Sequence, residues 1–208
     1  MSKQLFPLIS IICLLIVPDF SIASCPETSK NEGCKIPGVS TPSDSIKNFR
    51  KLVEKNISGN MSPAAKNIFK TLMKKYFDFN LMAQASMGAE WKNFSTSEQS
   101  EFSVLFTQMI QNSYLKKLIK HTSFSVIMGK EKSNKTKARV KTSLVKKKGK
   151  STPIEVEYRL HNGSGSWKIY DVITDEVSLV KNYRSSFISI YKKGGFNGLK
   201  KHLQNNAK

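Results

Sequence analysis

The chain has 208 residues, with 34 Lys and Arg against 15 Asp and Glu, a formal net charge of +19. The length fits one domain with an added tail. The charge excludes little by itself, because it attracts phosphate in nucleic acid and in anionic lipid headgroups alike.

The N-terminus narrows the choice. Lys3 precedes an apolar run through Leu14, Leu15, Ile16 and Val17, and the small residues Ser21, Ala23 and Ser24 follow. This is the order of a secretory signal peptide, assigned here to residues 1–24. Pro7 and Pro18 interrupt the run, which is shorter than the roughly 20 residues of a spanning helix. An exported chain rarely meets nucleic acid, so lipid becomes the better partner. Cys13 falls within the signal, leaving Cys25 and Cys34. Two readings of Cys25 stand: a disulfide with Cys34 in an oxidising compartment, or lipidation, since Ile22-Ala23-Ser24-Cys25 resembles a bacterial lipobox.

Residues 25–43, with Pro26, Pro37 and Pro42 among many polar residues, read as a linker or disordered arm. A single domain is expected over residues 44–208. Ser43-Asp44 can cap a first helix carrying Ile46, Phe49, Leu52, Val53 and Ile57, ended by Gly59-Asn60. Ser62-Pro63 restarts a helix with Pro at its first position, where a missing N–H costs nothing. Asp78 can cap a third helix that runs to Gly88. Ser95 and Glu98 form a capping box opening the longest helix, to about Lys120, with Phe102, Phe106, Met109, Ile110, Tyr114, Leu118 and Ile119 on its apolar face.

After His121 the period changes from helical to alternating. Phe124, Val126 and Met128 alternate with polar neighbours, as do Val140, Thr142 and Leu144, then Ile154, Val156, Tyr158 and Leu160. Trp167, Ile169, Val172 and Ile173 make a fourth strand. Lys132-Ser133-Asn134, Lys148-Gly149-Lys150 and Asn162-Gly163-Ser164-Gly165 are short enough for hairpins. Asp175 is the expected N-cap of a closing helix with Val177, Val180, Tyr183, Phe187 and Ile190 on one side, stopped by Gly194-Gly195. The fold class is α+β: a curved four-stranded antiparallel sheet with helices around it.

A search for chemistry returns little. His121, His161 and His202 have no second ligand at metal spacing, and Gly163-Ser164-Gly165-Ser166 lacks the order of a nucleophile elbow. No phosphate-binding or dinucleotide glycine motif occurs. Asp171 and Asp175 are candidate bases at a cavity mouth, which keeps an isomerase-like enzyme as an alternative. The five Asn-x-Ser/Thr sequences, at Asn56, Asn60, Asn93, Asn134 and Asn162, carry no weight in a Lys- and Asn-rich bacterial chain. Lys130, Lys132, Lys135, Lys137, Arg139, Lys141 and Lys146 to Lys150 crowd the hairpins. They read as a solvated strand face, some of it able to make transient contact with anionic membrane.

Three stretches carry a resemblance: Tyr76–Trp91 (YFDFNLMAQASMGAEW), the helix opening Ser95–Phe102, and Trp167–Phe187 (WKIYDVITDEVSLVKNYRSSF), with Gly194–Leu199 behind them. They resemble the MlaC/toluene-tolerance family of periplasmic phospholipid-binding proteins. The resemblance implies a cone like that of nuclear transport factors, enclosing an apolar pocket. It also implies a carrier between an outer-membrane lipoprotein complex and an inner-membrane ABC transporter complex, maintaining outer-membrane lipid asymmetry. The cargo would be phospholipid, with hopanoid-type lipids an alternative linked to related members. No catalytic group or cofactor is needed. Pocket walls are then expected from Phe106, Met109 and Ile110, from Val140, Val156, Tyr158 and Ile169, and from Val177, Tyr183 and Phe187. Arg184 is expected to meet the phosphate. A lipid-anchored adaptor held through Cys25 is the third reading. Family members often carry an Arg after the Leu-Met-Ala-Gln run and a Gly before Val-Ser-Leu-Val. Here Ala85-Ser86 and Asp175-Glu176 stand there.

Overall fold

The computed structural model describes residues 41–56, 62–118, 124–146, 152–163 and 165–207. Cys25, Cys34, the signal segment, Ile57, Gly59-Asn60, Ile119 and the turn through Lys148 lie outside them. The helices come first: α1 (Pro42–Asn56), α2 (Pro63–Tyr76), α3 (Phe79–Met87), a 3-10 turn (Gly88–Asn93) and α4 (Thr96–Leu118). The strands β1 (Phe124–Ser133), β2 (Lys137–Lys146), β3 (Ile154–Asn162), β4 (Trp167–Thr174) and β5 (Val177–Ser178) follow, and α5 (Leu179–Asn206) closes the chain.

Local chemistry sets most boundaries. Thr41 Oγ1 accepts from Asp44 N at 3.1 Å, so α1 starts at Pro42, ahead of the expected Ser43-Asp44 cap. Ser62 caps α2 through Ala65 N, with Pro63 at the first helical position. Asp78 Oδ1 accepts from Leu81 N at 2.9 Å and caps α3. The Ser95–Glu98 box closes in both directions: Glu98 Oε2 accepts from Ser95 N at 2.8 Å, and Ser95 Oγ accepts from Glu98 N at 3.3 Å.

The sheet runs in the order β1-β2-β3-β4-β5, with every neighbouring pair antiparallel. The fifth strand, absent from the expected four, arises at Asp175-Glu176. Both residues take positive φ, 47° and 64°, and pair Thr174 with Val177 across a two-residue hairpin. This is the twist that matches flanking strands, adopted without the usual Asn-Gly. Asp175 is therefore a turn residue. Ser178 is the N-cap of α5, accepting from Lys181 N at 3.2 Å. Nor do Gly194-Gly195 stop that helix: Gly195 (φ 59°, ψ −160°) kinks it, and Leu199 and Leu203 beyond the kink are buried.

Phe77 extends the sheet beside β4 through a parallel bridge to Ile169, and Asp78 N donates to Ile169 O at 2.8 Å. A bulge between Met128 and Glu131 turns Glu131 toward α1, where its carboxylate accepts from Ser43 N at 3.0 Å. Ser45 Oγ donates to Trp167 O at 2.7 Å. These bonds lay α1 across one end of the sheet. The core lies between the sheet's inner face and the helices: Phe49, Phe69 and Met73 from α1 and α2, Phe102, Phe106 and Ile110 from α4, Val140, Tyr158 and Ile169 from the sheet, all essentially inaccessible.

Candidate functional site

The apolar interior is the feature that dominates this fold. Strand alternation sends Val140, Val156, Tyr158 and Ile169 inward. The register sets Val140 opposite Tyr158, Tyr158 opposite Val172, and Leu160 opposite Ile169. Helical spacing sends Phe106, Met109 and Ile110 from α4 toward the same layer, all buried. From α5, Phe187 meets both Phe102 and Phe106 edge-on, with ring centroids 5.6 and 6.2 Å apart. Tyr183 stacks on Phe187 at 5.4 Å. Long-range packing thus brings α4 and α5 residues far apart in sequence into one aromatic group. Burial raises the Tyr183 phenol above its ordinary pKa, and lowers that of His202, whose ring meets Phe187 at 6.2 Å.

Toward the far end of β1–β3, Val126, Met128 and Ile154 are only half-buried, although they pack against the core. Leu105 on α4 is likewise partly open. Val126, Met128 and Ile154 thus form a partly exposed apolar rim of the core.

Two expected wall or rim residues are placed differently. Val177 sits on β5 and is 40% exposed, because the hairpin turns it away from the interior. Arg184 turns its guanidinium onto α3, where Nε donates to Ala85 O at 2.9 Å and Nη2 donates to the same oxygen. Ala85 is in the last turn of α3, so its carbonyl has no partner within the helix, and a cation there also suits the helix dipole. Gly88 makes the contact possible. A Cβ at Gly88 would lie 3.1 Å from Arg184 Nε, and its φ of 58° is one that side chains rarely adopt.

Asp171 is buried at 1% exposure, and its carboxylate is committed. Oδ1 accepts from Val172 N at 3.0 Å and Val180 N at 3.2 Å, while Oδ2 accepts from Ser178 Oγ at 2.7 Å. Arg159 Nη1 stands 3.7 Å from Oδ2. The side chain ties β4 to the first turn of α5. Asp175 is exposed and faces a cleft of about 580 Å³ on the outer side of the sheet, among Arg139, Lys141, Glu155, Glu157, Arg159 and Glu176. The two aspartates do not share a cavity lining of the kind a catalytic pair requires. A further cleft of about 380 Å³, lined by Lys74, Asp78, Asn80, His161, Ser166 and Lys168, opens where α2 and α3 meet the β3–β4 hairpin. Among the described residues, no group of His, Cys, Asp and Glu is arranged to hold a metal, and no helix is long and apolar enough to cross a membrane.

Neither the Arg184–Ala85 bond nor the Asp171 tie has a local signature, since both depend on how α3, β4 and α5 meet. Ser178, standing before the apolar Leu179-Val180, was the readable signal for the true cap of α5.

The fold is an antiparallel sheet wrapped by helices around a largely apolar interior. Comparison with known proteins gives that fold a family. The MlaC protein family model matches residues 45–205, which takes in nearly all of the helical cover and the sheet, and the chain belongs to that family. Over 149 residues it is 22% identical to the intermembrane phospholipid transport system binding protein MlaC of Haemophilus influenzae, covering 68% of this chain and 69% of that protein. It also shares its fold with a phospholipid-binding protein of Ralstonia solanacearum, solved in complex with a phospholipid. The TM-score is 0.66 at 20% identity, over 78% of this chain and 94% of that one.

Proposed function

We propose that the protein is an exported phospholipid carrier of the periplasm. It takes lipid between an outer-membrane lipoprotein complex and an inner-membrane ABC transporter complex, and so serves outer-membrane asymmetry. The observation that supports this most is the family match across residues 45–205, which spans every element that encloses the apolar interior.

The physical need for such a carrier is large. Burying one CH₂ is worth about 0.8 kcal/mol, so two chains of about 15 CH₂ each hold a lipid in its bilayer by roughly 20 kcal/mol. A carrier lowers that barrier only with a comparably dry interior. Phe106, Met109 and Ile110, the strand residues Val140, Val156, Tyr158 and Ile169, and Tyr183 with Phe187 supply its walls on this reading. Acyl chains enter past the half-open rim of Val126, Met128 and Ile154 as side chains of the aromatic group shift. Val177 lies outside this wall. Arg184 holds α3 and α5 together beside it through Ala85 O, and its guanidinium remains the group proposed to meet the phosphate. No step requires a catalytic group, and the Asp171 carboxylate is taken up in tying β4 to α5.

Transfer of a fluorescent phospholipid between donor and acceptor vesicles tests the reading. The transfer rate is expected to rise in proportion to protein concentration. A rate unchanged by the protein, with the fold intact by circular dichroism, contradicts it.

A further inference from the structure

Toward the hairpin tips the outer face of the sheet carries cations in register, while Glu155, Glu157, Asp175 and Glu176 share the cleft at its other end with Arg139, Lys141 and Arg159. Lys132 on β1 pairs with Arg139 on β2, and Arg139 with Arg159 on β3. One step toward the hairpin tips, Lys137 pairs with His161, and His161 with Lys168 on β4. Neighbouring strands are about 4.8 Å apart, so each row packs its basic groups side by side. Like charges directly opposite one another destabilise a sheet. Arg159 is compensated by Glu157 at 3.4 Å and Asp171 at 3.7 Å. Among the described residues, no carboxylate lies within ion-pair distance of Lys132, Lys137, Arg139 or Lys168. The three on β1 and β2 are exposed. The tip-side row ends beside the cleft where Lys74, His161 and Lys168 stand with Phe77, Asp78 and Phe79.

We propose that this face, Lys132–Arg139 and Lys137–His161–Lys168, is a docking surface for an anionic phospholipid bilayer. Three features favour a bilayer over other polyanions. Lys132, Lys137 and Arg139 stand on β1 and β2, which carry no aromatic side chain between Ser125 and Lys146 on which a nucleic-acid base would stack. Most are lysines, which are depleted in protein–protein interfaces. Lysines near an anionic membrane each contribute about 1 kcal/mol, or about fivefold in partition. The face is on the opposite side of the sheet from the apolar interior, so docking and lipid carriage are separately measurable.

The test is co-sedimentation of the full mature chain with vesicles of phosphatidylcholine alone and of phosphatidylcholine mixed with phosphatidylglycerol. Binding is expected only to the anionic vesicles, weakening as salt rises. The triple variant Lys132→Gln, Lys137→Gln, Arg139→Gln is expected to bind about 100-fold more weakly. A control triple of equal charge change on exposed positions of α1 and α2, Lys51→Gln, Lys55→Gln, Lys66→Gln, is expected to lose less than fivefold. Equal losses in the two triples would assign binding to overall charge and overturn the proposal. So would absence of binding to anionic vesicles, or unchanged binding by the first triple. Circular dichroism confirms that each variant is folded, and vesicle transfer of lipid reads the interior independently.

Discussion

Removing the Asp171 carboxylate tests the tie between β4 and α5. The group is 1% exposed and accepts three hydrogen bonds, from Val172 N, Val180 N and Ser178 Oγ, at 3.0, 3.2 and 2.7 Å. Hydrogen bonds to a charged group are worth about 1.5–3 kcal/mol each, but they share one acceptor and do not add in full. Breaking a buried ion pair from one side costs about 3–5 kcal/mol, and Arg159, itself half-buried, would lose its more buried partner. Asp171→Ala is therefore expected to destabilise the fold by about 4 kcal/mol. Asp171→Asn keeps the volume and one acceptor oxygen while turning an amide toward donors, and should cost about 2 kcal/mol. Urea unfolding followed by far-UV circular dichroism measures both. With a slope of about 2 kcal/mol per molar, the Ala variant's midpoint falls by about 2 M. A loss below about 1 kcal/mol for Asp171→Ala would refute a structural role and return Asp171 to the candidates for catalysis.

Three further perturbations follow from the same geometry. Glu176→Gly should stabilise by about 1 kcal/mol, because φ is 64° there and Gly is free of the left-handed penalty; an unchanged urea midpoint would count against the hairpin as described. Gly88→Ala should cost about 2 kcal/mol, since the new Cβ takes a positive φ and presses on Arg184 at 3.1 Å; a neutral result would mean that the guanidinium moves away freely. Burial lowers the His202 pKa below 6.5, so below that pH the unfolded chain binds the proton that the folded chain resists. Stability should fall as pH drops from about 6.5 toward the folded-state pKa and stay level above it, and His202→Gln should flatten that slope in urea midpoints taken across the range.

Most of the fold was legible because it is written locally. Ser62-Pro63, Asp78 and the Ser95–Glu98 box each announce a helix start, and the alternation of Val140 and Val156 marks strands whose inner face is buried. The errors gather where local preference yields to tertiary packing. Asp175-Glu176 is not a favoured hairpin sequence, so the turn and β5 were unreadable, and the cap of α5 was placed three residues early. Glu176, where the resemblance leads to an expected Gly before Val-Ser-Leu-Val, has the positive φ that favours Gly. Gly194-Gly195 looked like a helix end, yet Leu199 and Leu203 bury themselves beyond it and carry the helix through a kink. Of the expected wall, the residues on long periodic elements are placed inside. Val177 lies exposed on the β4–β5 hairpin, and Arg184, on α5, donates to Ala85 O of α3.

Native mass spectrometry of the mature protein, released gently from the envelope of a Gram-negative host, tests lipid carriage most directly. A bound mass equal to one two-chain phospholipid, confirmed by extraction and fragmentation, is the predicted result. Its loss in Phe187→Ala, which opens the aromatic group at the interior's centre, should accompany it. Protein that emerges folded but without lipid, and that takes none up from added phospholipid vesicles, would contradict the account.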